Sequence, residues 1–310
     1  MRTIHVGSRK SKLALVQSEQ VIAQLRAVYK ELDFSLDHIV TKGDQVQDVT
    51  LSKIGGKGLF VKEIEMALLN GTIDFAVHSM KDMPAELPEG LMIAAVPRRV
   101  APADRLVTRT GCSLSELPTG SRIGTSSLRR AAQLLHARPD LQILDLRGNV
   151  DTRLKKLMAG TYDGIILADA GIKRLGLSVD GFSIPYETVL PAVGQGALAI
   201  ECRAADHELR GWLAQINDPE TEQIVRAERA FLKKLNGSCQ VPIAGHCVMG
   251  TDGLLELTGL VASLDGQTIL REKRSGRDGS ALGLAVAESL LSGGAAQLLA
   301  EALKASETNG

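Results

Sequence analysis

Two short stretches hold residue types that could form a covalent bond or steer charge. The first is Leu235-Asn-Gly-Ser-Cys-Gln-Val-Pro-Ile243. Before it, Ile224, Val225, Ala227, Phe231, Leu232 and Leu235 recur at helical spacing between charges, which predicts a helix over Thr221–Leu235. Asn236-Gly237 ends that helix with residues that tolerate a left-handed backbone, and Pro242 stiffens the exit. Cys239 is therefore presented on a short, fixed loop, which suits a nucleophile or an attachment point. A buried, inert thiol is the commoner use of a free cysteine, so the loop alone leaves both readings open. The second stretch is His78-Ser-Met-Lys-Asp-Met-Pro84, directly after the buried-strand pattern Ile73–Val77. Open α/β sheets bind ligands at the carboxyl ends of their strands, and Ser79, Lys81 and Asp82 arrive there together. A carboxylate beside an ammonium holds charge or carries a proton; a surface ion pair is the plainer alternative. His78 reads as structural, because it ends the strand with no second metal-ligand candidate nearby.

Other positions suit an anion. Ser11 predicts an N-cap for a helix over about Lys12–Tyr29, with Arg9 just before it. Lys53-Ile-Gly-Gly-Lys57-Gly-Leu-Phe60 is a glycine-rich loop that could bring backbone N–H groups and the Lys57 ammonium to an anion. It lacks the P-loop spacing, so a nucleotide is not indicated. Residues 121–156 carry eight Lys/Arg against three acids, a local excess of five in a chain with 36 of each. Arg129, Arg130 and Arg153 fall near predicted helix N-termini, where the helix dipole disfavours a cation, so an anion must offset them. Thr125, Ser126 and Ser127 lie among these bases. Arginine grips carboxylates bidentately, so a polycarboxylate fits as well as a phosphate, against the plainer alternative of a solvated face.

The elements that must position these residues follow from hydrophobic period. Strand patterns at Thr3–Gly7, Phe34–Val40, Ile73–Val77 and Leu91–Val96 alternate with helical ones, including Leu59–Asn70. Pro97-Arg-Arg-Val-Ala-Pro102 breaks the pattern and predicts a hinge. A second α/β series then runs from Arg105 through Leu167, followed by Gly194-Gln-Gly196 and an apolar strand. Past the Cys239 loop, Ile243–Met249, Leu254–Ser263 and Gln267–Arg274 with glycine-containing turns predict an antiparallel meander. Helices over Ala281–Leu291 and Ala295–Ala305 finish a small α+β domain.

The bulk figures narrow the class. Three hundred and ten residues suffice for two or three domains, and balanced charge with 3% aromatics argues against nucleic acid or membrane as partner. No signal-like core opens the chain, and the richest apolar stretch is broken by Glu288, Gln297 and Glu301, so a cytoplasmic protein is expected. Cys112, Cys202, Cys239 and Cys247 are widely spaced without C-x-x-C, against disulfides and zinc.

Seven motifs in one order resemble the porphobilinogen deaminase (hydroxymethylbilane synthase) family over nearly the whole chain. They are GGKGLFVKE at 55–63, HSMKD at 78–82, GTSSLRR at 124–130, LRGN at 146–149, KRLGL at 173–177, PAVGQGALAIECR at 191–203 and GSCQVPI at 237–243. The resemblance implies a transferase that joins four porphobilinogens head to tail, with loss of ammonia, into a linear tetrapyrrole. It implies a dipyrromethane cofactor on a cysteine thioether, at Cys239, and a catalytic aspartate at Asp82. Lys57, Ser79, Lys81, Asp82, Thr125, Ser127, Arg129 and Arg130 match cofactor-binding positions. Arg9, Ser11, Gln17, Arg147, Arg153, Arg174 and Gln195 match substrate-binding ones. The fold implied is α/β and α+β: two periplasmic-binding-protein-like α/β domains joined by a double hinge, plus a small C-terminal α+β domain with a three-stranded antiparallel sheet. The boundaries implied are 1–98 with 197–216, 99–196, and 217–310, in a monomer that needs no metal.

The chemistry of the residues agrees. Each porphobilinogen brings an acetate and a propionate, so a growing chain is a polyanion that an arginine-lined cleft can hold. Loss of ammonia leaves a cation reaching the pyrrole nitrogen, which a fixed carboxylate stabilises. One stretch departs from the family pattern: Arg-Glu-Asp-Pro-Arg-Asp is replaced by Arg99-Val-Ala-Pro-Ala-Asp104, which puts inherited hinge salt bridges in doubt. The rival reading is a two-domain anion-binding or sensing protein without catalysis, which would have no use for Cys239 or Asp82.

Overall fold

The computed structural model describes residues 3–45, 61–237 and 241–308. Within them the chain divides into two compact units, residues 3–45, 61–100 and 196–223, and residues 101–195, 224–237 and 241–308. The chain leaves the first unit after Val100, returns at Gly196, and leaves again between Gln223 and Ile224, inside a helix.

In chain order the first unit supplies β1 (Thr3–Arg9), α1 (Lys12–Val28), β2 (Asp33–Ile39), the single turn α2 (Lys42–Gln45), α3 (Lys62–Leu69), β3 (Phe75–Ser79) and β4 (Leu91–Ala95). The second begins with β5 (Asp104–Thr108), β6 (Arg122–Gly124), α4 (Leu128–Ala137) and β7 (Gln142–Leu144), then α5 (Val150–Met158), β8 (Gly164–Ala168), α6 (Asp169–Arg174) and β9 (Phe182–Ser183). Next come β10 (Leu198–Arg203), α7 (His207–Leu213) and α8 (Pro219–Lys234), followed by β11 (Ile243–Met249), β12 (Leu255–Ala262), β13 (Ile269–Gly276), α9 (Gly279–Leu290) and α10 (Ala296–Thr308). Most lie within a few residues of the periods that predict them. The two-residue strand β9 is too short to leave a period.

Two five-stranded sheets share one pattern. In the order β2-β1-β3-β10-β4, the strands β2, β1 and β3 are parallel, and β10 runs antiparallel to both neighbours. In β7-β6-β8-β5-β9, the strand β5 takes the place of β10. The antiparallel strand in each sheet is the first after a passage between units, so neither sheet is purely parallel, and the correspondence leaves no repeat in the sequence. A three-stranded antiparallel sheet, β11-β12-β13, completes the mixed α/β and α+β fold expected.

Alternation explains what each sheet buries. Ile4, Val6, Phe75, Val77 and Ile200 pack against Val21, Ile22 and Leu25 of α1. Leu106, Ile123 and Ile166 form one core of the second unit, while Phe231 of α8 packs with Leu257, Val261 and Val286 in another. The stretch Gly279–Ala305 is long and apolar enough to pass for a membrane span. Its Leu282, Val286, Leu290 and Leu299 lie in that same core, and Gly294 at φ 103° kinks it through a π-turn. These features make it a pair of core helices.

Candidate functional site

In the first unit, the start of α1 and the end of β3 meet around a small pocket. Ser11 caps α1 as predicted, its Oγ accepting from Ala14 N at 3.3 Å. The pocket is lined by Arg9, Ser11, Leu13, Ala14, Gln17, Val61, Val77, His78, Ser79 and Asp82. Its room for water-sized groups is about 60 Å³, and it opens to solvent. The strand β3 is buried up to His78 and then turns into a 3-10 turn over Met80–Asp82. Met80 anchors that turn in the core at 2% exposure, while Asp82 is left exposed and Lys81 half-buried. Gln17 and Ser79 are joined by a hydrogen bond, Nε2 to Oγ at 3.0 Å. The geometry thus brings together Arg9, Ser11, Gln17, Ser79 and Asp82, five positions chosen from sequence.

Behind this strand lies a cluster that sequence reasoning missed. His78 Nε2 sits 3.0 Å from Glu201 Oε2, with both side chains buried, which accords with a structural His78. Glu65 of α3 faces them, and burial, then the Glu201 charge, push its carboxyl above the usual range. Glu201 interrupts the apolar run of Leu198, Ala199, Ile200 and Cys202, which was the available signal.

In the second unit, α4 carries the arginines. Ser127 is its N-cap, with Oγ accepting from Arg130 N at 3.4 Å, and Thr125 Oγ1 accepts from Ser127 N at 3.2 Å. Both Arg129 and Arg130 are buried, at 5% and 6% exposure. The anion that the helix-dipole argument demands is supplied first by the chain itself. Asp104, fully buried, pairs with Arg129 Nη1 at 2.8 Å and Arg130 Nη2 at 2.6 Å. Arg130 Nε also donates to Asp104 Oδ1 at 3.1 Å, and Gln195 Nε2 does so at 2.9 Å. These two guanidinium groups hold the Asp104 carboxyl far below its usual range against a large burial penalty. The sequence-derived attribution of the offset to a ligand is corrected to that extent. Asp104 was within sight as the one acid kept in the departing stretch Arg99–Asp104.

Two cations on one carboxylate leave the cluster a net charge of plus one. Arg129 uses Nη1 for Asp104 and for Leu190 O at 2.7 Å, and among the described residues no hydrogen bond engages its Nε–Nη2 edge. That edge is the fork that grips a carboxylate. Arg153 is drawn into the same field: burial, then repulsion from Arg130 and Arg147, pull its guanidinium down to about 10. Its Nε donates to Gly148 O at 2.8 Å. Burial likewise pulls Arg174, in the last turn of α6, down to about 10. A like-charged group of this kind suits an acidic ligand. Gln195 is buried at 1% exposure and also donates to Pro102 O at 2.6 Å.

Cys239 and Lys57 lie outside the described residues, but the flanks of the cysteine loop lie inside them. Asn236 ends α8 at φ 51°, the left-handed value its type predicts. Gly237 is buried, and a Cβ there would run into the Leu232 side chain. Val241 and Ile243 are buried on the far side. Glu228 of α8 accepts from Gly194 N at 2.6 Å and Cys247 N at 2.8 Å, which ties the helix before the loop to the turn carrying Gln195.

Comparison with known proteins matches residues 4–211 to the porphobilinogen deaminase, dipyromethane cofactor binding domain, and residues 223–292 to the porphobilinogen deaminase, C-terminal domain. This chain belongs to the porphobilinogen deaminase family. A porphobilinogen deaminase of Bacillus pumilus is 57% identical over 301 residues, 96% of this chain and 97% of the relative. One of Brevibacillus brevis is 54% identical over 304 residues, 97% and 98% of the two chains. Another, of Bacillus cereus, is 56% identical over 306 residues, 98% and 99% of the two. The family identifies porphobilinogen as substrate class and dipyrromethane as cofactor, and the unengaged fork of Arg129 in a cationic cluster fits such a carboxylate-bearing group.

Proposed function

We propose that the chain is a transferase of tetrapyrrole biosynthesis that joins four porphobilinogens into hydroxymethylbilane, with the dipyrromethane held by a thioether to Cys239. The observation that carries this reading is the Arg129–Asp104–Arg130 cluster, a buried site with one positive charge to spare and one open guanidinium fork. When bound, the dipyrromethane supplies a pyrrole α-carbon as the growing end. Arg129 and Arg130 pair with its carboxylates, with Thr125 and Ser127 beside them at the start of α4. Arg147, Arg153 and Arg174 hold acetate and propionate groups of the added rings, and Arg9, Ser11 and Gln17 do so in the first unit. Lys57 and Lys81 add ammonium donors.

Asp82 serves the bond changes. As the substrate's C–N bond breaks, ammonia leaves with the electron pair and the ring becomes cationic. A fixed carboxylate stabilises that charge. The α-carbon that attacks to form the new C–C bond must lose its proton to become aromatic again, and the Asp82 carboxylate would accept it. The 3-10 turn anchored by Met80 holds the carboxylate without burying it. The test is the intact mass of purified protein with peptide mapping. Two pyrrole units on Cys239 and release of hydroxymethylbilane are expected; a protein at its sequence mass would favour the anion-binding alternative.

A further inference from the structure

We infer that Asp104 is a positioning residue for the cofactor, setting which guanidinium edges of Arg129 and Arg130 face its carboxylates. The inference rests on the function proposed above and goes beyond it to a residue with no contact to the reacting atoms. Asp104 is fully buried at the start of β5, so it cannot meet a ligand in solvent. Its Oδ1 takes the Nε and Nη2 of Arg130, at 3.1 and 2.6 Å, which is that residue's side-on fork. Arg130 Nη1 is then fixed on Ile166 O at 3.1 Å. Oδ2 pairs with Arg129 Nη1, at 2.8 Å, the same nitrogen that donates to Leu190 O. One carboxylate therefore closes the fork of Arg130 and leaves that of Arg129 open. It also reduces two adjacent buried cations to a net charge of one.

Without Asp104 the two guanidinium groups would repel each other and turn toward other acceptors. The cofactor carboxylates would then meet both forks in undefined orientation. Charge, not shape, is what this role needs. A packing role makes the opposite ranking: Asn is isosteric with Asp, whereas Glu overfills a close-packed site.

The experiment measures the fraction of protein carrying the covalent pyrrole adduct, by intact mass, for Asp104→Asn and Asp104→Glu, with thermal stability alongside. We expect Asp104→Glu to keep most of the adduct and Asp104→Asn to lose roughly tenfold or more, as a buried cation loses its partner. Leu106→Ala, in the same strand, should lower stability and leave occupancy unchanged in the folded fraction. A second arm covers failure of Asp104→Asn to fold. The double variant Asp104→Asn/Arg130→Gln replaces both members of one ion pair, which is better tolerated than removing one. Its occupancy should fall below that of Arg130→Gln alone, since Asp104 still pairs with Arg129 when Arg130 is replaced. Full occupancy in Asp104→Asn, a lower occupancy in Asp104→Glu than in Asp104→Asn, or a double variant with the same occupancy as Arg130→Gln would overturn the inference. An adduct-free wild type would instead overturn the cofactor reading itself.

Discussion

The side-chain amide of Gln17 donates to the hydroxyl oxygen of Ser79 at 3.0 Å, linking α1 to the last residue of β3. Gln17 is 3% exposed, so water does not readily replace the bond. The link fixes the segment from which Asp82 projects three residues later. Gln17→Leu should leave the fold intact, costing about 1 kcal/mol, the usual net worth of one hydrogen bond. Turnover should fall several-fold more than stability predicts, because Ser79 and the turn after it lose their register. Unchanged turnover at full cofactor content would place the bond outside the mechanism.

A second prediction concerns attachment. Burial pushes the Cys202 thiol up to about 11, and Cys247 is 1% exposed in β11. Neither provides the accessible thiolate that a covalent bond needs. Wild-type protein should be heavier than its sequence by two pyrrole units, and Cys239→Ser should not. Mapping the adduct to Cys112, Cys202 or Cys247 would sink the assignment.

What was legible in the sequence followed from local rules. Ser11 was a recognisable cap because a hydroxyl before an apolar period satisfies an N–H group a few residues on. Asn236 was recognisable because few residues accept a positive φ. Asp104 was not, because its role depends on residues 25 or more positions away in sequence, which no local pattern records. The His78–Glu201 pair joins residues 123 positions apart, through the antiparallel pairing of β3 and β10. Sheet register, which sets such pairs, is decided by tertiary packing. The exact sheet order was hidden for the same reason.

A third prediction uses the cluster behind β3. The Glu65 carboxyl is raised by burial and by Glu201, while His78 and Lys62 act in the opposite sense. A raised folded-state value means that its contribution is fully present below the unfolded value, near 4.3, and is lost as pH rises through the folded one. Glu65→Gln stays neutral throughout. It should melt with wild type near pH 4 and above it at pH 8. An equal difference at both pH values would show that ionisation is not the cause.

Arg153 supplies the fourth. Its guanidinium, pulled down to about 10 by burial, Arg130 and Arg147, remains charged at neutral pH. A lysine begins lower, near 10.4 in isolation, and would meet the same burial and repulsion. Arg153→Lys should therefore lose its charge within the alkaline working range. Its KM for porphobilinogen should rise steadily above pH 8, while wild type stays flat over the same interval. Parallel KM profiles would mean that Arg153 does not hold substrate through its charge.

The last prediction separates charge from shape at Asp82. Asp82 is exposed at the end of the Met80–Asp82 turn, close to Ser79 and within the pocket that also includes Arg9. Asp82→Asn keeps size and hydrogen bonding and removes the negative charge that would face the cation left by ammonia. Losing one preorganised electrostatic group typically costs ~3–4 kcal/mol, or roughly 10²–10³ in rate. If the same carboxylate also accepts the α-proton, the loss should grow by roughly another 10²-fold. Asp82→Glu keeps the charge and displaces it, so it should fall between the two. Lys81 is a confounding neighbour: without the carboxylate its ammonium is less balanced and would further disfavour a cation nearby. Cofactor content must therefore be measured beside turnover. The decisive sample is Asp82→Asn protein shown by mass to carry the dipyrromethane. Turnover within a few-fold of wild type in that sample would remove Asp82 from the catalytic role; a loss confined to unloaded protein would make it an assembly residue instead.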